Sequence, residues 1–415
     1  MTMQARAAAG TMATDGVESG YVWRRLVVSL LLSTIGGVGL WSAIVVLPAV
    51  QLEFGVDRAS ASLPYTATMM GFAFGGVLMG RLADRRGIIV PIIGGAIMLS
   101  LGYIASAYAA SLWQFAVVQG VLIGMLGSSA TFGPLVADVS HWFTRNRGIA
   151  VGICASGNYV AGTFWPPVIQ HLIDAVGWRQ THVWVGLFCA ATMLPLGLAL
   201  GRKTPVAHEA TPHRPAPTAA SASPIAPNTL QTLLVIAGFA CCVAMSMPQV
   251  HIVAYCSDLG YGVARGAEML SLMLGLGVIS RLASGWVSDH IGGVRTLLLG
   301  SALQMLTLVF YLPFDGLASL YVVSALFGLS QGGIVPSYAM IVREYFPPQE
   351  AGARFGTVLM ATIVGMAVGG WMSGEIYDLT GSYRAAFLNG IAWNVLNASI
   401  ALWLLRQPRG RVVHA

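Results

Sequence analysis

Charge is what this chain lacks. Only 9% of its 415 residues are Asp, Glu, Lys or Arg, against about 25% in an ordinary soluble domain. So few charges exclude a soluble globular protein, a disordered chain and a nucleic-acid binder. Cysteine is scarce as well. The five residues Cys154, Cys189, Cys241, Cys242 and Cys256 lie in or beside apolar runs, and none has metal-ligand spacing. They read as small packing residues, with no metal centre and no disulfide framework. No nucleophile–base pair is present. The glycine-rich stretch 124–133 lies inside an apolar run, where a nucleotide fingerprint has no meaning. No cofactor, no metal and no catalytic set are expected, so an enzyme is not.

What the chain has is apolar length. It is 56% hydrophobic and holds 50 glycines. Twelve runs of roughly the 20 residues a bilayer requires fall at 26–50, 63–82, 88–108, 112–136, 148–169, 181–200, 230–253, 267–287, 296–314, 317–342, 356–376 and 385–405. None shows the period-two alternation of a membrane barrel. The expected fold class is therefore an all-α integral membrane protein of twelve transmembrane helices. Residues 201–229 carry six prolines among Ala, Ser and Thr and cannot pack. They divide the helices into an N-terminal bundle at 21–200 and a C-terminal bundle at 230–405, with tails at 1–20 and 406–415.

Basic residues set the orientation. With the N-terminus inside, 17 of the 22 Lys and Arg residues fall on the cytoplasmic side and four on the other. Both termini and the linker are thus expected in the cytoplasm of a cell with an inner membrane. The formal charge of +6 is a topology signal and needs no nucleic-acid partner. The remaining basic residue is Arg281, deep in the eighth run, about 21 Å along a helix counted from residue 267. A charge at that depth is costly unless it faces a cavity and is used. A guanidinium offers a carboxylate a two-bond fork, and no Asp or Glu lies in the interior of any run to neutralise it. Arg281 is the candidate anion-binding residue. Gln331 and Tyr338 in the tenth run, and Asn158 and Tyr159 in the fifth, are polar groups at related depths. His251 is read as an interfacial residue closing the seventh run.

The halves repeat. Gly80-Arg-Leu-Ala-Asp84-Arg85-Arg86-Gly87 closes the second run and Gly285-Trp-Val-Ser-Asp289-His290-Ile-Gly292 the eighth, at a constant offset of 205 residues. Trp142-Phe143 after the fourth run echoes Tyr345-Phe346 after the tenth. Two pseudo-symmetric six-helix bundles are the arrangement in which secondary transporters hold substrate between repeats near mid-membrane. The glycine pairs Gly71/Gly75, Gly76/Gly80, Gly148/Gly152 and Gly365/Gly369 read as close-packing surfaces.

With its Gly-xxx-Asp-Arg-x-Gly loop, degenerate second copy and six-plus-six plan, the chain resembles the major facilitator superfamily. The segment from Trp142 through Arg145, Arg147, Gly152 and Gly157 to Gly162 is similar to the loop and fifth helix of the monocarboxylate and oxalate–formate porters. An arginine four residues before the glycine of the eighth helix, here Arg281, is that group's carboxylate-binding pattern. The resemblance also implies that Asp84 and Asp289, with Arg85, Arg145 and Arg147 as partners, lock the cytoplasmic side in one conformation. Departures are Ile88 and Ile89 in place of a basic pair, Gly277 where proton-coupled relatives keep an aspartate, and no lysine in the eleventh run. The expected function is secondary transport of a small organic anion, a monocarboxylate, by alternating access with exchange favoured. Proton-coupled symport and export of amphipathic molecules are the alternatives. The bilayer and the anion, with protons in the symport case, are the expected partners of a monomer.

Overall fold

The protein is described from a computed structural model over residues 20–143, 147–201 and 226–407, apart from the side chains of residues 147, 148, 348 and 349. The expected tails, and the linker but for its ends, lie outside the described residues. Among the described residues there are twelve helical rods and no strand. They are α1 Gly20–Phe54, α2 Arg58–Arg86, α3 Ile89–Ala107, α4 Leu112–Trp142, α5 Arg147–Val176 and α6 Trp178–Ala199. The second half comprises α7 Pro227–Asp258, α8 Val263–Ile291, α9 Gly293–Phe310, α10 Leu317–Tyr345, α11 Pro348–Thr380 and α12 Tyr383–Arg406.

Ten of the rods are long and apolar enough to cross a membrane unaided; α2 and α5 are not. Both line the chamber between the halves, where Asn158, Tyr159 and Tyr65 face protein and space rather than lipid. Their outer faces remain greasy, with Phe74, Leu78 and Phe164 exposed. Six rods on each side of the linker, entered and left alternately, put the start of α1 and the end of α12 at one end of the bundle, called here the terminal end. The opposite end is the far end.

The repeat read from the sequence is present in the backbone. Gly87 and Gly292 terminate α2 and α8 at φ 82° and 84° with ψ 165° and 162°. That region is open in practice to glycine alone, so the 205-residue echo is a matched pair of helix stops. The breaks correspond too. In α4 a π-helical segment at Gln119–Gly127 and a 3₁₀ turn at Ser128–Thr131 precede Gly133–Trp142, and α10 is interrupted at Gly332 and Gly333. Interrupted rods at repeat-related positions expose backbone, which a membrane tolerates only where it is buried in protein or lines a cavity. Ser129, Phe132 and Val335 beside these breaks do line one.

The glycine pairs divide. A Cβ on Gly71 or Gly75 would strike the α4 backbone at 2.0–2.1 Å, and one on Gly365 would stand 2.4 Å from Phe239 O of α7. These are close-packing surfaces, as expected. Gly76, Gly80 and Gly152 meet nothing within 4 Å, so those three faces are not packed in this conformation. All five cysteines are free and buried.

Candidate functional site

A chamber of about 350 Å³ lies between the halves, lined by residues of α1, α2, α4, α5, α7, α8, α10 and α11. Its wall is mostly apolar, with Met69, Met245, Met360 and Met366 alongside Phe72 and Phe132. Arg281 lines it, half-buried. The Arg281 Nη1 donates to Ala155 O at 3.3 Å, its Cζ sits 4.4 Å from the Tyr159 ring centroid, and its Nε is buried with no partner. Among the described residues no carboxylate pairs with it.

The α5–α8 crossing explains this geometry. A Cβ on Gly277 would lie 2.6 Å from Tyr159 Cε1 and 2.7 Å from Cδ1. The missing side chain therefore makes the slot that the Tyr159 ring fills, one turn before Arg281. The aromatic face then takes the cation by a cation–π contact. Asn158 lines the chamber beside Tyr159. Its backbone oxygen accepts from Trp41 Nε1 at 3.0 Å, and its Oδ1 is buried without a partner. Arg281, Tyr159 and Asn158 thus stand together.

Two expected residues stand elsewhere. Gln331 is fully buried and does not line the chamber; it accepts from Gln249 Nε2 at 2.5 Å, and Gln249 is the residue that faces the space. Tyr338 is also fully buried and turned away, its hydroxyl donating to Asn397 Oδ1 at 3.0 Å. Depth along the helix is right for Gln331, since a Cβ on the neighbouring Gly332 would lie 2.9 Å from Arg281 N. Helix rise gives depth and says nothing of direction. The sequence reading leaves out Tyr65 and Gln249 and takes Trp41 for packing or an interface anchor, yet all three line the chamber. Polar-tipped side chains inside apolar runs were the available signal.

At the far end the halves are joined. Arg58 Nη2 donates to both Asp258 oxygens at 3.0 and 3.1 Å. Asp378 of α11 accepts from the first backbone N–H groups of α2, Arg58 N at 2.9 Å and Ala59 N at 2.6 Å. Unpaired N–H groups at a helix start want such an acceptor, and here it comes from the other half. Ser271 Oγ of α8 donates to Thr163 O of α5. His251 is not interfacial as expected. It is fully buried under this joint, its Nε2 2.8 Å from Gly370 O and its Nδ1 3.4 Å from the Tyr383 hydroxyl, because α11 and α12 cover it.

At the terminal end the same rods stand apart. Gly76, Gly80, Gly152, Gly285, Gly352 and Gly356 have nothing within 4 Å of a notional Cβ. Asp84, Arg85 and Asp289 are exposed, and among the described residues none has an ion pair. The expected lock is therefore not made here; Arg145 and the Arg147 side chain lie outside the described residues. The chamber is sealed towards the far end and splayed towards the terminal end.

An apolar chamber between two six-helix halves, with Arg281 in its wall, has the form of an all-α membrane transporter. The Major Facilitator Superfamily model matches residues 29–320 and 285–414, and the chain belongs to that superfamily. Monocarboxylate transporter 13 of Bos taurus is 26% identical over 339 residues, spanning 80% of this chain and 77% of that protein. The MFS-type transporter opdF of Penicillium oxalicum is 27% identical over 333 residues, 79% of this chain and 76% of its own. The structure of a bacterial homolog to the human lysosomal transporter Spinster, in an inward-facing and occupied conformation, aligns with a TM-score of 0.73. It covers 94% of this chain and 98% of that one at 14% identity, which shows shared fold alone.

Proposed function

We propose that the protein is a secondary carrier of a small organic anion, a monocarboxylate, bound by Arg281 in the chamber. The observation that carries this reading is the state of that guanidinium: it lines the cavity, its Nε has no partner, and no acid among the described residues pairs with it. A carboxylate restores the missing partner. Asn158 and Tyr159 complete the site, Gln249 takes the place first expected for Gln331, and Tyr338 serves packing. The names of the monocarboxylate relatives support the substrate class. The basic asymmetry supports an inner-membrane protein with termini and linker in the cytoplasm, so the open terminal end faces inward.

Alternating access follows from exchanging the two ends. Opening the far end breaks the Arg58–Asp258–Asp378 joint, and closing the terminal end brings Asp84, Arg85, Arg145, Arg147 and Asp289 into contact. Exchange is favoured by electrostatics. An empty chamber that closes must enclose the Arg281 charge, and an unpaired buried charge costs several kcal/mol. The Tyr159 face offsets up to about 2 kcal/mol of that. Bound carboxylate removes the rest, and Gly277 supplies no titratable group to do so.

The test is binding and transport by purified protein in liposomes. A hydrogen bond to a charged group is worth roughly 1.5–3 kcal/mol, so Arg281→Ala should weaken carboxylate binding by about tenfold or more. Arg281→Lys keeps the charge, loses the fork and should fall between. Normal binding by Arg281→Ala places the site elsewhere.

A further inference from the structure

We infer that the carried acid is bulky: a monocarboxylate with an apolar body that bears a hydroxyl, not a two- or three-carbon acid. The inference rests on the Arg281 reading and deepens it. The chamber of about 350 Å³ has room for roughly a dozen waters at about 30 Å³ each. A three-carbon acid has about six heavy atoms and would leave about half of that space to water. Once the chamber closes, the water left inside needs two to four polar partners, and the Met69, Met245, Met360, Met366, Phe72 and Phe132 surfaces offer none. An apolar body covers those surfaces instead. Four methionines suit a body of irregular outline, because the unbranched thioether adapts to what it meets.

The polar groups are distributed to match. Arg281 and Asn158 provide the anion end. Tyr65 and Gln249 line the same chamber from α2 and α7. The Tyr65 side chain is 1% exposed, yet its hydroxyl has no partner. Gln249 uses its Nε2 on Gln331, and among the described residues its Oε1 has no hydrogen-bond partner. A ligand hydroxyl can satisfy either group, accepting from Tyr65 or donating to Gln249. A plain alkyl acid leaves both unused, and buried groups left unpaired discriminate against the ligand that fails to pair them.

The experiment measures dissociation constants on the purified full-length carrier. The probes are acetate, pyruvate, hexanoate, octanoate, 3-phenylpropionate and 3-(4-hydroxyphenyl)propionate, with octanamide as the uncharged control. Each buried methylene is worth about a fourfold gain, so octanoate should bind at least tenfold tighter than hexanoate and far tighter than acetate. The hydroxyphenyl acid should exceed the phenyl acid, and Tyr65→Phe should abolish that difference. Met360→Trp, which fills the chamber, should weaken the large acids more than pyruvate; retained pyruvate binding shows that the variant is folded. Affinity that is flat or falls with size, while Arg281→Ala still abolishes pyruvate binding, overturns the bulky acid and leaves the carboxylate site standing. Octanamide binding as well as octanoate, with no effect of Arg281→Ala, overturns the carboxylate site itself. A Tyr65→Phe variant that still distinguishes the two phenyl acids removes the hydroxyl.

Discussion

Arg25 and Arg281 are both drawn into the bundle, and what separates them is a carboxylate. Arg25 is 2% exposed and held by Asp138, with Nε 2.8 Å from Oδ2 and Nη2 2.9 Å from Oδ1. Tyr21, Leu200 O and the face of Trp142 at 4.5 Å complete its surroundings. Removing one member of a buried pair typically costs about 3–5 kcal/mol, because the other charge is left uncompensated. Asp138→Ala should therefore lower the thermal midpoint of the purified protein markedly. Arg281 has no such partner to lose. Arg281→Met removes an unpaired charge and keeps most of the volume, so its midpoint should equal or exceed that of the parent while carboxylate binding disappears. Midpoints of the two variants that fall together would show that Arg281 is structural. The sequence reveals this difference only by half. Counting residues finds Arg281 at depth, with no acid in any run interior. The same counting leaves Arg25 as one more loop charge, because its partner stands 113 residues away and depth alone does not pair them.

At the scale of elements, the α5–α8 crossing makes the site. Gly162 packs under Leu274 and Trp41, and Gly277 receives Tyr159. Tyr159→Phe keeps the ring in its slot and should leave binding near the parent value. Tyr159→Leu loses the aromatic face, worth roughly 0.5–2 kcal/mol, and should weaken binding from about twofold to thirtyfold. Gly277→Ala places a methyl within 2.7 Å of the ring, and the ring must move. Its titrations should resemble those of Tyr159→Leu; if they match the parent, the slot is not what orients the cation. The twelve apolar runs and the matched glycines were legible because hydrophobicity and helix stops are local properties. Which face of α10 meets the chamber was not. That depends on the α7 and α12 side chains that claim Gln331 and Tyr338 first, Gln249 and Asn397.

The whole molecule is asymmetric end to end, and the asymmetry predicts how it moves. At the far end one rod caps another across the halves: Asp378 of α11 accepts from two N–H groups at the start of α2. Arg58, its side chain 8% exposed, is held by Asp258 at 3.0 Å and by the Tyr377 ring at 5.0 Å. These contacts span 200 residues and more, so nothing local in the sequence announces them. Removing a cap costs roughly 0.5–2 kcal/mol, and about 1.4 kcal/mol changes an equilibrium tenfold. Asp378→Ala should thus shift the carrier towards the form open at the far end by about tenfold, without touching the chamber. Spin labels at Leu52 of α1 and Leu379 of α11, 86% and 77% exposed at that end, report the change as a longer distance. The terminal end should respond in the opposite sense. The unpacked faces of Gly76 and Gly80 on α2, and of Gly352 and Gly356 on α11, are narrow enough to meet there once the far end parts. Gly76→Leu obstructs that contact and should restore the short far-end distance in the Asp378→Ala background. It should also slow exchange of labelled substrate, since a carrier held open at one end cannot turn over. Distances that ignore Asp378→Ala, or that Gly76→Leu leaves unchanged in that background, would mean the two ends are not coupled.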